Sequence, residues 1–261
     1  MNLHSFFFFF LFGGRTLSDL LCQYNFGERG HRATETPHQK TPMSQNTTSS
    51  NWTEIAFILD RSGSMQSIAE TAVTGFNELL SKQQEEHEQT PVRMSLVLFN
   101  TEYEVPFASI VAPELPLLDM KTYAPDGGTA LLDAIGRTID ETGARLAAMP
   151  EAERPGKVII AILTDGEENS SRTFSWAQIS DKIRHQKEVY KWEFLFLGAN
   201  QDAIATAAKM SIDRNSSTNF FQTDGGIRKS MRGTSNSFRE RKLRAMASPL
   251  SDLVAEADDK V

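Results

Sequence analysis

A chain of 261 residues with 39% apolar and 23% charged residues can bury a real core in one large or two small domains. Its formal charge of −7 gives no global pull toward nucleic acid or an anionic membrane, and no apolar run reaches bilayer-spanning length. The single cysteine, Cys22, excludes an intrachain disulfide framework and suits a reducing compartment.

In chain order, residues 1–42 open on a phenylalanine tract, Phe6 to Phe10. The tract lacks the basic start and small-residue cleavage site of a secretory signal. The segment is expected to be a disordered extension, or to lie upstream of a native start at Met43, and the protein is expected in the cytoplasm. Residues 43–51 are rich in Ser, Thr and Asn and read as a flexible lead-in. One domain is expected over 52–222, followed by a terminal helix and charged tail over 223–261.

Glu54 to Leu59 is an apolar run that predicts a buried strand. Ile68, Ala72, Val73, Phe76, Leu79 and Leu80 then recur at helical spacing within 66–87. Arg93 to Phe99 predicts a second strand, and Tyr103 to Phe107 a short one placed at a sheet edge by Pro106. After an irregular stretch over 109–128, Ala130 to Met149 predicts a helix with Leu131, Leu132, Ile135, Ile139 and Leu146 inward. Lys157 to Leu163 is apolar without alternation, as expected of a strand covered on both faces. A helix over 174–189, a strand from Trp192 to Leu197, a short helix from Asp202 to Met210 and a short strand over 218–222 follow. Strands alternating with helices imply an α/β domain: a doubly wound, mostly parallel sheet with helices on both faces. Between Asp224 and Ala247 stand Arg228, Lys229, Arg232, Arg239, Arg241, Lys242 and Arg244 against few acids, with apolar residues too sparse for a clear stripe. This segment reads as a solvated terminal helix or as a basic arm for an acidic partner.

In open α/β sheets ligands gather beyond the carboxyl ends of the strands. After the first strand comes Asp60-Arg-Ser-Gly-Ser64, and after the strand ending at Leu163 comes Thr164-Asp165-Gly166. Asp126-Gly-Gly-Thr129 precedes the helix at Ala130. Asp60, Ser62 and Ser64 at alternate positions can aim three oxygens at one point, to which Thr129 adds a hydroxyl and Asp165 a second carboxylate. Such an all-oxygen set suits Mg²⁺, with Mn²⁺ or Ca²⁺ as substitutes. Each piece also has a plainer use: Ser62, Ser64 or Thr129 as a helix cap, Thr164-Asp165-Gly166 as a turn, Glu167 and Glu168 as a solvated loop.

Taken together, Asp60-x-Ser62-x-Ser64, Thr129 after two glycines and Asp165-Gly166 after an apolar strand resemble the metal-ion-dependent adhesion site (MIDAS) of von Willebrand factor A domains. The likeness covers about residues 52–222 and is strongest to the compact intracellular bacterial members. It implies a Rossmann-like sheet of order 3-2-1-4-5-6, with Asp60 and Asp165 on neighbouring strands. It also implies direct metal contacts from Ser62 and Ser64, a direct or water-mediated one from Thr129, and largely water-mediated ones from Asp60 and Asp165. The function so implied is non-enzymatic capture of an acidic residue on a partner protein, for which the family suggests an AAA+ ATPase or a stress-response assembly. The alternatives are a phosphoryl-transfer or hydrolase domain using Asp60 as nucleophile, and a scaffold that binds through the basic C-terminal arm. The first lacks a second acidic residue two positions after Asp60, where Ser62 stands, and there is no phosphate-binding glycine loop.

Overall fold

The computed structural model describes residues 50–199, 203–220 and 223–258, with backbone alone at 224 and 245–258. The phenylalanine tract, Cys22, Met43, Asp202 and the end of the strand expected over 218–222 lie outside the described residues. A six-stranded sheet runs β3-β2-β1-β4-β5-β6. Its strands are β1 (Ser50–Asp60), β2 (Val92–Phe99), β3 (Tyr103–Val111), β4 (Pro155–Thr164), β5 (Glu193–Gly198) and β6 (Ser217–Asn219). Only β3 is antiparallel to its neighbour. The helices are α1 (Ala69–Glu85), α2 (Leu131–Ala147), α3 (Trp176–Tyr190), α4 (Ala203–Lys209) and α5 (Asp224–Asp258).

The apolar runs without alternation become the central strands because both faces are covered. Ile55, Phe57 and Leu59 of β1 face α1 and α5, meeting Phe76, Leu80, Ile227, Met231 and Phe238. Ala56 and Ile58 face the other way, with Ile160 and Ile162 of β4, onto Ile135 and Ile139 of α2 and Ile179 and Ile183 of α3. Pro106 lies where the β2–β3 register skips, between the pairs Leu98↔Glu104 and Leu96↔Phe107, so no ladder bond is lost to it. The strand then continues to Val111, beyond the expected end at Phe107. Ser109, at φ 50°, absorbs the second irregularity between Leu96 and Met94.

The terminal segment departs most from its sequence reading. It is one helix of 35 residues, and its sparse apolar groups do form a docking stripe. Ile227, Met231 and Phe238 are buried, with Ser230, Thr234 and Ser235 filling the positions between them. Gly75 lets α1 come close: a Cβ there would lie 2.9 Å from Met231 Cγ. Two cations of the basic run turn inward. Lys242, 1% exposed, bonds Gln83 Oε1 at 2.7 Å and Glu86 Oε2 at 3.2 Å, and Arg241 pairs with Glu193. No helix among the described residues is long and apolar enough to cross a membrane.

Candidate functional site

Parallel pairing brings the carboxyl ends of β1 and β4 to the same edge of the sheet. Leu59 pairs with Leu163, which sets Asp60 beside Thr164. Thr164 Oγ1 donates to Asp60 Oδ2 at 2.5 Å, and the Ser62 N–H donates to Asp60 Oδ1 at 2.7 Å. Asp60 is 0% exposed and meets no cationic side chain at ion-pair distance among the described residues. Arg61, the adjacent cation, turns away to Glu104 at 3.0 Å. Burial therefore pushes the Asp60 carboxyl up to about 6, the two donors pull it back, and the charge of Asp165 adds to the rise.

The Ser62 and Ser64 hydroxyls lie 3.1 Å apart, and Ser64 Oγ donates to Asp165 Oδ1 at 2.7 Å. A Cβ on Gly166 would sit 2.8 Å from Thr129 Oγ1 and 3.4 Å from Ser64 Oγ, so the hydroxyls of Thr129 and Ser64 close around a glycine that a side chain would crowd. All five residues expected from the sequence are thus gathered at one end of the sheet. Asp60, Ser62, Thr129 and Asp165 are buried, and Ser64 is exposed. Among the described residues no group of three or more His, Cys, Asp or Glu comes together as a metal cluster. The crest differs from such a cluster by mixing two carboxylates with three hydroxyls.

The helix-cap uses are not made. Ser62 precedes the 3-10 turn Gly63–Ile68 without a side-chain cap bond, and α2 begins after Ala130, also without one. The first N–H groups of α2 go elsewhere: Leu132 donates to Glu168 Oε2 at 2.9 Å, and Asp133 to Ser171 Oγ at 3.0 Å. Glu168 is therefore a brace rather than the solvated loop residue expected, also accepting from the N–H groups of Ser170 and Ser171. Asn169 pins Thr129 by accepting from its N–H at 2.9 Å and donating its own N–H to the Thr129 carbonyl at 3.1 Å. Asp126 is a turn residue, its Oδ1 accepting from the Gly127 N–H at 2.7 Å. Tyr123, fully buried, donates from its hydroxyl to the Asp60 carbonyl at 2.5 Å. Neither Tyr123 nor Asn169 carries a local sequence signal for this role. Thr164 carries one, its place at a strand end beside Asp165.

A family model for the von Willebrand factor type A domain matches residues 54–232. No curated protein matches the chain. Among solved structures, the vWF domain of the type V pili tip protein Mfa5 from Porphyromonas gingivalis aligns with a TM-score of 0.53 and 10% identity, over 72% of this chain and 95% of that one. The pilus adhesin SpaC from Lactobacillus rhamnosus GG aligns with 0.51 and 15%, over 72% and 30%. The PilB minor pilin from Streptococcus sanguinis aligns with 0.50 and 11%, over 72% and 61%. At such identities the likeness is one of fold, and the chain spans less than two thirds of the pilin and of the adhesin.

Proposed function

The chain belongs to the von Willebrand factor type A domain family, and from that premise we propose that it is a non-enzymatic, Mg²⁺-dependent module that captures a carboxylate presented by a partner protein. Asp60, Ser62, Ser64, Thr129 and Asp165 would hold the ion, as a MIDAS of the compact intracellular bacterial kind. The observation that carries this reading is the close approach of the Thr129 and Ser64 hydroxyls around Gly166, with Asp165 bonded to the same Ser64 hydroxyl. Bound there, Mg²⁺, or Mn²⁺ or Ca²⁺ in its place, would supply positive charge for an incoming carboxylate oxygen to meet.

The residues of this chain set how much of that charge stays available. Three of the five ligands are neutral hydroxyls. Asp60 already gives one oxygen to the Ser62 N–H and the other to Thr164, which suits an outer, water-mediated role. The same engagement speaks against Asp60 as a nucleophile, which would need an oxygen free to attack. The basic-arm alternative is weakened because Arg241 and Lys242 are spent on partners within the chain.

An acidic residue on an AAA+ ATPase or a stress-response assembly remains the partner we favour, in the cytoplasm. The pilus settings named above belong to those relatives. The test is a pull-down from native lysate with Mg²⁺, comparing wild type with Asp60→Ala and repeating both in EDTA. Capture is expected with the wild type in Mg²⁺ alone, while circular dichroism shows both chains folded. Capture that survives both EDTA and the substitution overturns the reading.

A further inference from the structure

A second site lies where β1 and β2 begin, away from the crest at the carboxyl ends of the strands. Ser50 and Val92, the first residues of β1 and β2, line a cavity of about 710 Å³ together with Arg145 of α2 and Met149 just past that helix. A cavity of this size suits a small organic ligand.

Arg93 sets the chemistry of the wall. Its Nε donates to the Ser109 carbonyl at 2.9 Å and to Ser109 Oγ at 3.3 Å, and its guanidinium lies 5.9 Å from the centre of the Trp52 ring. Trp52 is itself held, its indole N–H donating to the Glu153 carbonyl at 3.1 Å. The guanidinium is thus fixed through Nε and by the ring, and it pairs with no carboxylate among the described residues. Arg145, the other arginine on the cavity, is already spent on the buried Glu54 at 2.9 Å. His87 also lines the cavity. Its Nδ1 accepts the Val92 N–H at 3.2 Å, which leaves Nε2 as the N–H donor of the neutral ring.

An unpaired, pre-positioned guanidinium calls for an anion, and its planar fork matches the two oxygens of a carboxylate. The charge count favours a single negative charge. Glu153 is the one acidic residue that lines the cavity among the described residues, and with Arg145 spent no second free arginine would offset a dianion. Pro91, Val111 and Met149 add apolar wall beside the Trp52 ring, where an apolar body could lie.

We propose that this cavity binds a small organic monocarboxylate with an apolar or aromatic body, its carboxylate on the terminal nitrogens of Arg93 and its body against Trp52 and Met149. The site is separate from the metal crest and needs no metal.

The test titrates the full chain with hydrocinnamate in EDTA, which silences carboxylate capture through a metal at the crest. The full chain is used so that the residues before Ser50 compete as they do in the protein. Saturable binding is expected below about 10 mM. It should move the indole N–H resonance of Trp52, identified by its loss in Trp52→Phe. Arg93→Gln should bind about tenfold more weakly, Met149→Trp, which fills the cavity, hardly at all, and Asp60→Ala as the wild type does. The neutral amide of the same acid should not bind measurably, and phenyl phosphate should bind more weakly than hydrocinnamate. Arg93 is exposed and glutamine keeps a side-chain N–H for Ser109, so this variant tests the site even if Met149→Trp misfolds. Absence of saturable binding, equal affinity for acid and amide, or equal affinity of wild type and Arg93→Gln overturns the proposal. So does tighter binding of phenyl phosphate, which would make this a dianion site. A blocked tripeptide ending in a free phenylalanine carboxylate that binds far more tightly than hydrocinnamate also overturns it, since the cavity would then take a polypeptide C-terminus. Loss of Mg²⁺-dependent capture in the lysate experiment with hydrocinnamate binding retained here would strike the crest reading alone.

Discussion

At Gly166 a single methyl group separates an open cradle from a crowded one, because a Cβ would press on Thr129 Oγ1 at 2.8 Å. Gly166 has no left-handed φ to protect, so Gly166→Ala should fold normally. If the crest holds Mg²⁺ as proposed, the substitution should weaken its binding about tenfold or more, since displacing the Thr129 hydroxyl would spoil a geometry that Mg²⁺ holds strictly. Isothermal titration with MgCl₂ reads this, and unchanged affinity would remove Thr129 from the ligand set. Glu54, six residues back along β1 from Asp60, poses a different problem. It is fully buried against Arg145 at 2.9 Å, Ser109 at 2.8 Å and Ser95 at 3.3 Å, yet burial outweighs these partners and raises its pKa above the ordinary 4.5. The folded chain then holds this proton more tightly than the unfolded chain. The stability tied to it is fully present below 4.5 and is lost as pH rises through the raised folded value. Glu54→Gln should therefore gain on the wild type as pH climbs from 4.5 toward neutrality, as read from urea midpoints along a pH series. Parallel curves would show that Arg145 fully compensates the burial.

Among the elements, α5 decides how much of the chain acts as one unit. Phe238 is fully buried in its docking stripe, so Phe238→Ala should cost about 3–5 kcal/mol. Hydrogen exchange should show that cost as lost protection over residues 227–242, with β1 and β4 still protected. Equal loss in the central strands would instead mean that helix and sheet unfold together. The stripe was hard to read in the sequence because small polar side chains and one lysine occupy it. Ser230, Thr234, Ser235 and Lys242 count as polar in any periodicity, yet all four are buried once α5 is docked, Lys242 against Gln83 and Glu86 at the end of α1. The central strands are legible for the opposite reason: a stretch covered on both faces is apolar without alternation, as Ile55 to Leu59 of β1 and Val158 to Leu163 of β4 are. At the crest, residues that lie near one another in sequence at strand ends could be read, as Asp60, Ser62 and Ser64 were. Tyr123, Asn169 and Glu168 could not, because each reaches its partner only after the loops between strands and helices have closed over the sheet.

For the molecule as a whole, the crest is a place where folding spends stability. Asp60 is buried with no cationic partner among the described residues, its carboxyl is raised to about 6, and the second carboxylate at Asp165 adds like charge. That arrangement is expected to cost the chain stability in EDTA, offset in part by the two donors to Asp60. Asp60→Ala gives up two hydrogen bonds but removes a desolvated charge, so in EDTA it should melt close to the wild type or above it. If the crest holds Mg²⁺, the order reverses when the ion is added. A ligand at about 100 times its dissociation constant contributes roughly 2.7 kcal/mol to the folded state. For a domain of this size that amounts to a rise of about 5–10 °C in the wild-type midpoint. The variant lacks the buried carboxylate and should move little. The crossing of the two melting curves is the signature to look for by differential scanning calorimetry, because a general salt effect would lift both chains alike. Equal shifts in wild type and variant would mean that Mg²⁺ stabilises the fold without using the crest, and metal-mediated capture would fall with it.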